Sequence, residues 1–245
     1  MARRHKHTSL PPPYLKRVWI DEEKVPDREA YPFCLPMFRE PNFELEFDTP
    51  VTIVVGENGT GKSTLLEGIA VLAGFEEGGG GRGIGAVDYD EFTEAGGGKL
   101  AEALRGSWLP KVGRGWFFRA ETFFSIARYI DGDFLSYSHG EGFMRFFEER
   151  CQRPGVFFFD EPESALSMNR QFEFLKLLRR MQQLGNSQVI MATHSPILMA
   201  LPEARLLRLE KYGLRPVTLE DTDHYRVMRE FILDPHGTID MMLWE

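Results

Sequence analysis

The segment GENGTGKST, residues 56–64, fits the phosphate-binding pattern G-x-x-x-x-G-K-[ST]. Gly56, Gly59 and Gly61 let backbone amides turn inward around a phosphate, with Glu57, Asn58 and Thr60 between them and Thr64 behind. Lys62 is then placed to reach the β- and γ-phosphates of a nucleotide, and Ser63 to ligate magnesium. A second stretch, FFFDEPE, delivers Asp160 and Glu161 at the end of a hydrophobic run. Of two such acids the first can hold a metal and the second can orient water. QVIMATHSP ends another apolar run in His194. In SHGEG, residues 138–142, a serine stands beside a histidine. Adjacent residues on a helix or strand point in different directions, so Ser138 and His139 are not a nucleophile and its base.

These side chains need a scaffold, and the periodicity supplies one. VTIVV at 51–55 is an apolar β-branched run, and FELEF at 43–47 alternates like a half-buried strand. KSTLLEGIAVLAG at 62–74 carries Leu65, Leu66, Ile69 and Leu72 at helical spacing and stops at Gly74. Strand, glycine loop, helix is the order that a phosphate-binding loop requires. From Gly78 to Gly98 the chain is glycine-rich and reads as a surface loop. GWFFRA at 115–120 predicts a strand, and a helix follows SHGEG. VFFF and QVIMAT predict two buried strands, separated by a helix over 169–184 that Gly185 caps. RLLRLE and RPVTLE suggest a terminal hairpin, and DHYRVMREFIL a closing helix. Strands alternating with helices imply an α/β domain with a mainly parallel sheet.

The chain has 245 residues, 42% of them hydrophobic, enough for a substantial core. Its net charge of −8 offers no overall attraction to nucleic acid or an anionic membrane, although a local basic face is compatible with it. Cys34 and Cys151 belong to no metal-binding or disulfide pattern, so a reducing, cytoplasmic setting is expected. The start, MARRHKHTSLPPPYLKR, has no apolar core after its charges, and no run approaches a membrane span. Residues 1–13 are expected to form a basic, proline-rich tail before a single domain over 14–245.

Phosphate loop, then Ser-x-Gly-x-Gly, then strand-Asp-Glu, then strand-His, in that order, resembles the ABC-type ATPase superfamily over residues 31–210. The resemblance implies a P-loop NTPase fold with a small helical lobe near residues 120–150. It also implies ATP and Mg2+ as ligands. SHGEG looks like the ABC signature, whose Ser138, Gly140 and Gly142 would contact the γ-phosphate of ATP held by a second subunit. Asp160 looks like the magnesium-supporting acid, Glu161 the base and His194 the switch residue at the γ-phosphate. SALS at 164–167 looks like the segment that crosses to the partner. A head-to-tail homodimer with two nucleotides between its subunits follows.

After GWFF a transporter subunit would usually carry a glutamine, whereas this chain has RAETFF, so Arg119 or Glu121 would take that place. DEPE and ATHSP look more like soluble relatives of the SMC and overcoming-lysogenization-defect groups, and the combination is similar to small stand-alone bacterial ATPases. About 75 residues between Lys62 and Ser138 leave no room for a long coiled coil, and about 50 after His194 none for a nuclease domain. An effector partner is therefore expected. Tyr31, Phe33 and Phe38 lie where the family places an adenine-stacking aromatic, with Phe33 favoured. The resemblance favours a hydrolysing ATPase, with a transporter's nucleotide-binding subunit and a non-hydrolysing ATP switch as the alternatives.

Overall fold

The computed structural model describes residues 10–39, 41–83, 96–123, 126 and 139–244. Its main sheet has six strands in the order β5-β6-β7-β3-β8-β9. They are β3 (Val51–Val55), β5 (Gly115–Arg119), β6 (Gly155–Asp160), β7 (Ser187–Ala192), β8 (Arg205–Glu210) and β9 (Gly213–Pro216). All neighbours pair in parallel except β8 and β9, which form the antiparallel hairpin at one edge. A separate antiparallel sheet, β2-β1-β4, is built from Glu44–Glu46, Leu15–Ile20 and Leu104–Trp108. The expected α/β class with a mainly parallel sheet flanked by helices is the fold observed.

Alternate residues of each central strand enter different cores, which is why these strands read as unbroken apolar runs. Val156 and Phe158 of β6 face one core with Leu65, Leu66 and Ile69 of helix α1 (Lys62–Ala73). Phe157 and Phe159 face the other. There they meet Phe143, Phe146 and Phe147 of α3 (His139–Arg150) and Phe174 and Leu178 of α4 (Met168–Leu184). Phe118 stacks on Phe159 at 4.8 Å between centroids, and Phe147 approaches it edge-on at 4.4 Å. Burying rings of this size contributes about 2 to 3 kcal/mol each, and the lobe carrying α3 is fixed to the sheet largely by them.

Gly74 and Gly185 end α1 and α4 in left-handed conformations, φ 97° and 60° respectively, as their positions predict. Other features depart from the pattern. Within the expected 78–98 loop, Gly97 starts helix α2 (Gly97–Ala103), whose Leu100 and Ala103 are buried in the first core. Tertiary burial there overrides the glycine signal. The boundary expected at residue 14 lies slightly inside the packed body, since Pro12 and Pro13 are already buried. Gln188 anchors this segment, its Oε1 accepting from the Tyr14 and Leu15 amides at 2.8 Å. Beyond the closing helix α5 (Asp223–Leu233) comes a further one, α6 (Pro235–Trp244), and neither buries a residue. Among the described residues no helix is long and apolar enough to cross a membrane.

Candidate functional site

β3 ends at Val55 and α1 begins at Lys62, so residues 56–61 must reverse the chain in six residues. Gly59 and Gly61 do so with φ of 75° and 96°. At Gly61 a side chain is also excluded by space, because a Cβ would lie 2.7 Å from Met37 Cε and 2.8 Å from Leu35 Cδ1. Glu57, Asn58 and Gly59 are exposed at the tip, Thr60 donates to the Glu57 carbonyl at 2.8 Å, and Lys62 is buried beneath. Lys62 Nζ donates to the Glu57 carbonyl at 2.8 Å. Burial lowers the Lys62 pKa, and the nearby Glu161, Asp160 and Glu163 carboxylates oppose that shift. The loop therefore holds a cation behind a ring of backbone amides at a helix N-terminus, an arrangement suited to an anion.

The parallel register brings the acids to this loop. Asp160 is the last residue of β6 and pairs across the ladder with Arg119, the last of β5. Ser63 Oγ donates to Asp160 Oδ1 at 3.0 Å, joining α1 to β6. Arg119 is 5% exposed and bridges two acids, with NH1 2.7 Å from Glu67 Oε1 and Nε 3.7 Å from Asp160 Oδ2. Burial raises Asp160 to about 6 against the pull of Arg119 and the Ser63 hydrogen bond. It raises Glu67 to about 7 against the same arginine. Arg119, an alternative for the missing glutamine, is thus a core residue of the site, whereas the Glu121 side chain is 76% exposed.

Glu161 follows with φ 46° and ψ 53°, a conformation that costs a non-glycine residue about 1 to 3 kcal/mol and collects at functional sites. Its amide donates to the Ala192 carbonyl at 3.0 Å, so the end of β7 holds the turn. His194 lies just beyond β7, and its Nε2 stands 3.4 Å from Glu161 Oε1. Burial, with Lys62 and His224 nearby, lowers the His194 pKa to about 4. The imidazole is therefore neutral at pH 7, and the contact with Glu161 is not an ion pair. His194 Nδ1 lies 2.8 Å from His224 Nε2 at the start of α5, and its backbone amide donates to Glu163 Oε1 at 2.5 Å. Two buried atoms here, His194 Nε2 and Glu163 Oε2, have no hydrogen-bond partner among the described residues. Such atoms call for a polar ligand or water.

Lys62, Ser63, Asp160, Glu161 and His194 thus gather from three places in the sequence at the carboxyl end of one sheet, where open α/β sheets hold their ligands. Thr64 points differently, sharing a 2.6 Å hydrogen bond with the Tyr31 hydroxyl. Phe33 does not suit its expected role: it is 2% exposed and packed in the first core, with no ring face for a base. Phe38 is fully buried too, which leaves Tyr31, 45% exposed, as the accessible aromatic of the three. Ser138 lies outside the described residues. Gly140 and Gly142 fall in the first turn of α3, and Glu141 pairs with Arg170 of α4. In SALS, Ser164 and Ala165 complete a 3-10 turn and Ser167 caps α4.

Sequence reasoning missed Glu67, Glu163 and His224. Glu67 left one sign, an acid within the apolar LLEGIA run, four residues and one helical turn after Ser63. His224 left none, since only the fold brings α5 beside β7.

The magnesium reading can be tested on the donors present. Ser63 and Asp160 supply a hydroxyl and a carboxylate oxygen 3.0 Å apart, hard donors of the kind that Mg2+ takes alongside nucleotide phosphates. No group of three or more His, Cys, Asp or Glu suited to a metal occurs among the described residues. A site completed by phosphate oxygens needs none.

Comparison with known proteins covers both halves of the constellation. A family model described as "AAA domain" matches residues 37–102, which contain the phosphate loop. A second, "AAA domain, putative AbiEii toxin, Type IV TA system", matches residues 143–200, which contain Asp160, Glu161 and His194. No curated protein matches the chain. Among solved structures, "An inward-facing conformation of a putative metal-chelate type ABC transporter" is 17% identical, with a TM-score of 0.46, over 87% of this chain and 88% of its own. The SMC head domain from Thermotoga maritima is 17% identical, with a TM-score of 0.47, over 83% of this chain and 99% of its own.

Proposed function

We propose that the chain is a P-loop ATPase of ABC and SMC-like type that binds Mg-ATP and hydrolyses it. The observation that carries this reading is the convergence of Ser63 on Asp160 at 3.0 Å behind the Lys62 loop, with Glu161 and His194 alongside. The loop amides and Lys62 would hold the β- and γ-phosphates. Ser63 and Asp160 would hold Mg2+, which neutralises charge on those phosphates. Glu161, 39% exposed in its side chain, is open to accept a proton from an attacking water, and neutral His194 can use its unpartnered Nε2 on a γ-phosphate oxygen. Tyr31 replaces Phe33 as the proposed adenine contact.

Titration with a fluorescent ATP analogue tests the binding step. Lys62→Ala removes the cation facing the phosphates and is expected to weaken binding severely, whereas unchanged affinity would remove the loop from the nucleotide site. Phosphate release at saturating ATP separates hydrolysis from a switch that only binds.

The proposed active form is the head-to-tail dimer implied by SHGEG, with Ser138, Gly140 and Gly142 completing the site of a second copy. The placement of both glycines in the first turn of a helix supports this, since amides there face an anion favourably. Glu161→Gln should then accumulate as an ATP-bound dimer, measured by size-exclusion chromatography with light scattering in ATP and in ADP. A mass independent of nucleotide, in a variant that binds ATP as a monomer, counts against the dimer.

A further inference from the structure

At the other end of β5 and β6 lies a cavity of about 590 Å³ whose charge is opposite to that of the acid cluster. Its lining includes Arg82, Arg114, Arg150 and Arg153, with Glu149 as the acid among them. The four arginines come from three segments: Arg82 follows the α1 region, Arg114 precedes β5, and Arg150 and Arg153 sit at the end of α3 and in the turn before β6. In the parallel register Gly115 pairs with Val156 at this end and Arg119 with Asp160 at the other, so about 13 Å of strand separates the cavity from the acids.

Several arginines elsewhere in this acidic chain are held by carboxylates, as in Arg105 with Asp21, Arg179 with Glu203 and Arg205 with Asp48. Arg114, Arg150 and Arg153 form no ion pair among the described residues. A helix C-terminus favours a cation, which accounts for the sign of Arg150 and Arg153 taken singly. It does not account for Arg114, or for four guanidinium groups around one cavity with a single acid among its described lining residues. Arg150 is held in place by aromatic rings, its Cζ 4.9 Å from the Trp116 centroid and 5.1 Å from that of Phe146. Its Nε is nevertheless buried with no hydrogen-bond partner among the described residues. Arg82 is likewise fixed, its NH2 donating to the Ala73 carbonyl at 3.2 Å at the end of α1. Arg82 and Arg150 are thus positioned cations at the cavity wall, with Arg153 exposed at its rim.

We infer that this cavity is a second anion site, distinct from the phosphate loop, for a compact ligand carrying two or three adjacent phosphate groups. Planar guanidinium forks around a concave space match clustered phosphate oxygens. Nucleic acid would need a basic track extending past the cavity, and a chain of net charge −8 offers its backbone little attraction beyond it. The site needs no magnesium, because arginine supplies the countercharge.

The test is calorimetric titration of inorganic tripolyphosphate, in EDTA, into the full Lys62→Ala chain, whose phosphate loop is disabled. One saturable event is expected. It should weaken about tenfold or more when Arg114→Glu and Arg153→Glu are added, with the thermal melt confirming the fold. Arg114→Gln with Arg153→Gln should fall between the two. Orthophosphate should bind more weakly than tripolyphosphate. No binding by the Lys62→Ala chain, or affinity unchanged by charge reversal, overturns the assignment. So does a single-stranded oligonucleotide that displaces tripolyphosphate at a lower phosphate concentration, which would show an extended nucleic-acid surface instead.

Discussion

The two ends of β5 and β6 carry opposite chemistry on the same strands. At the carboxyl end Asp160, Glu161, Glu163 and Glu67 crowd around Lys62 and Arg119, and burial pushes Asp160 up to about 6 and Glu67 to about 7. At the amino end four arginines surround a cavity with one acid among its described lining residues. In the proposed roles the acid-rich end would take a nucleotide's phosphates together with a metal ion, whereas the arginine end would take an anion directly. A parallel sheet permits this division because all its strands begin on one side and finish on the other, so residues far apart in sequence share an end.

Removing the proposed proton acceptor is the largest way to break the carboxyl end. Glu161→Gln should lower phosphate release by on the order of 10²- to 10⁴-fold, with ATP-analogue affinity retained through Lys62 and Ser63. A wild-type rate would remove Glu161 from the base role. The dependence on Arg119 comes next. Arg119→Met leaves Glu67 and Asp160 buried without their shared cation, at a cost of about 3 to 5 kcal/mol, read as a fall in the urea midpoint. Adding Glu67→Gln should recover part of that loss. If the double variant is no more stable than the single one, the pair is not the source of the loss.

The smallest effect sharpens the contrast through pH. His194 has a folded pKa of about 4 against an ordinary 6.5, so between these values the unfolded chain binds a proton that the folded chain does not. The contribution is intact above pH 6.5 and is lost as pH falls through 4, by at most about 3 kcal/mol. His194→Gln lacks this titration. The wild type should therefore lose stability relative to the variant on acidification from pH 7 to 4, while Asp160 and Glu67 titrate in both chains. Parallel stability curves for the two chains would contradict the depressed pKa.

The sequence by itself determined the elements whose signals are local. An apolar run followed by GENGTGKST and a helical period placed the loop, and FFFDEPE and QVIMATHSP each brought a buried strand to a candidate site residue at or just beyond its end. Strands covered on both faces and helices ended by Gly74 and Gly185 leave marks that neighbouring residues can show. Only the tertiary structure decided which residues meet across the sheet. Arg119 reaches Asp160 through ladder register, Glu67 through the rotation of α1, and His224 through the docking of α5 beside β7. The burial of Phe33 and the gathering of Arg82, Arg114, Arg150 and Arg153 were decided in the same way. Periodicity reports which face of an element is apolar, whereas the partner of a charged or aromatic side chain is set by chain segments tens of residues away.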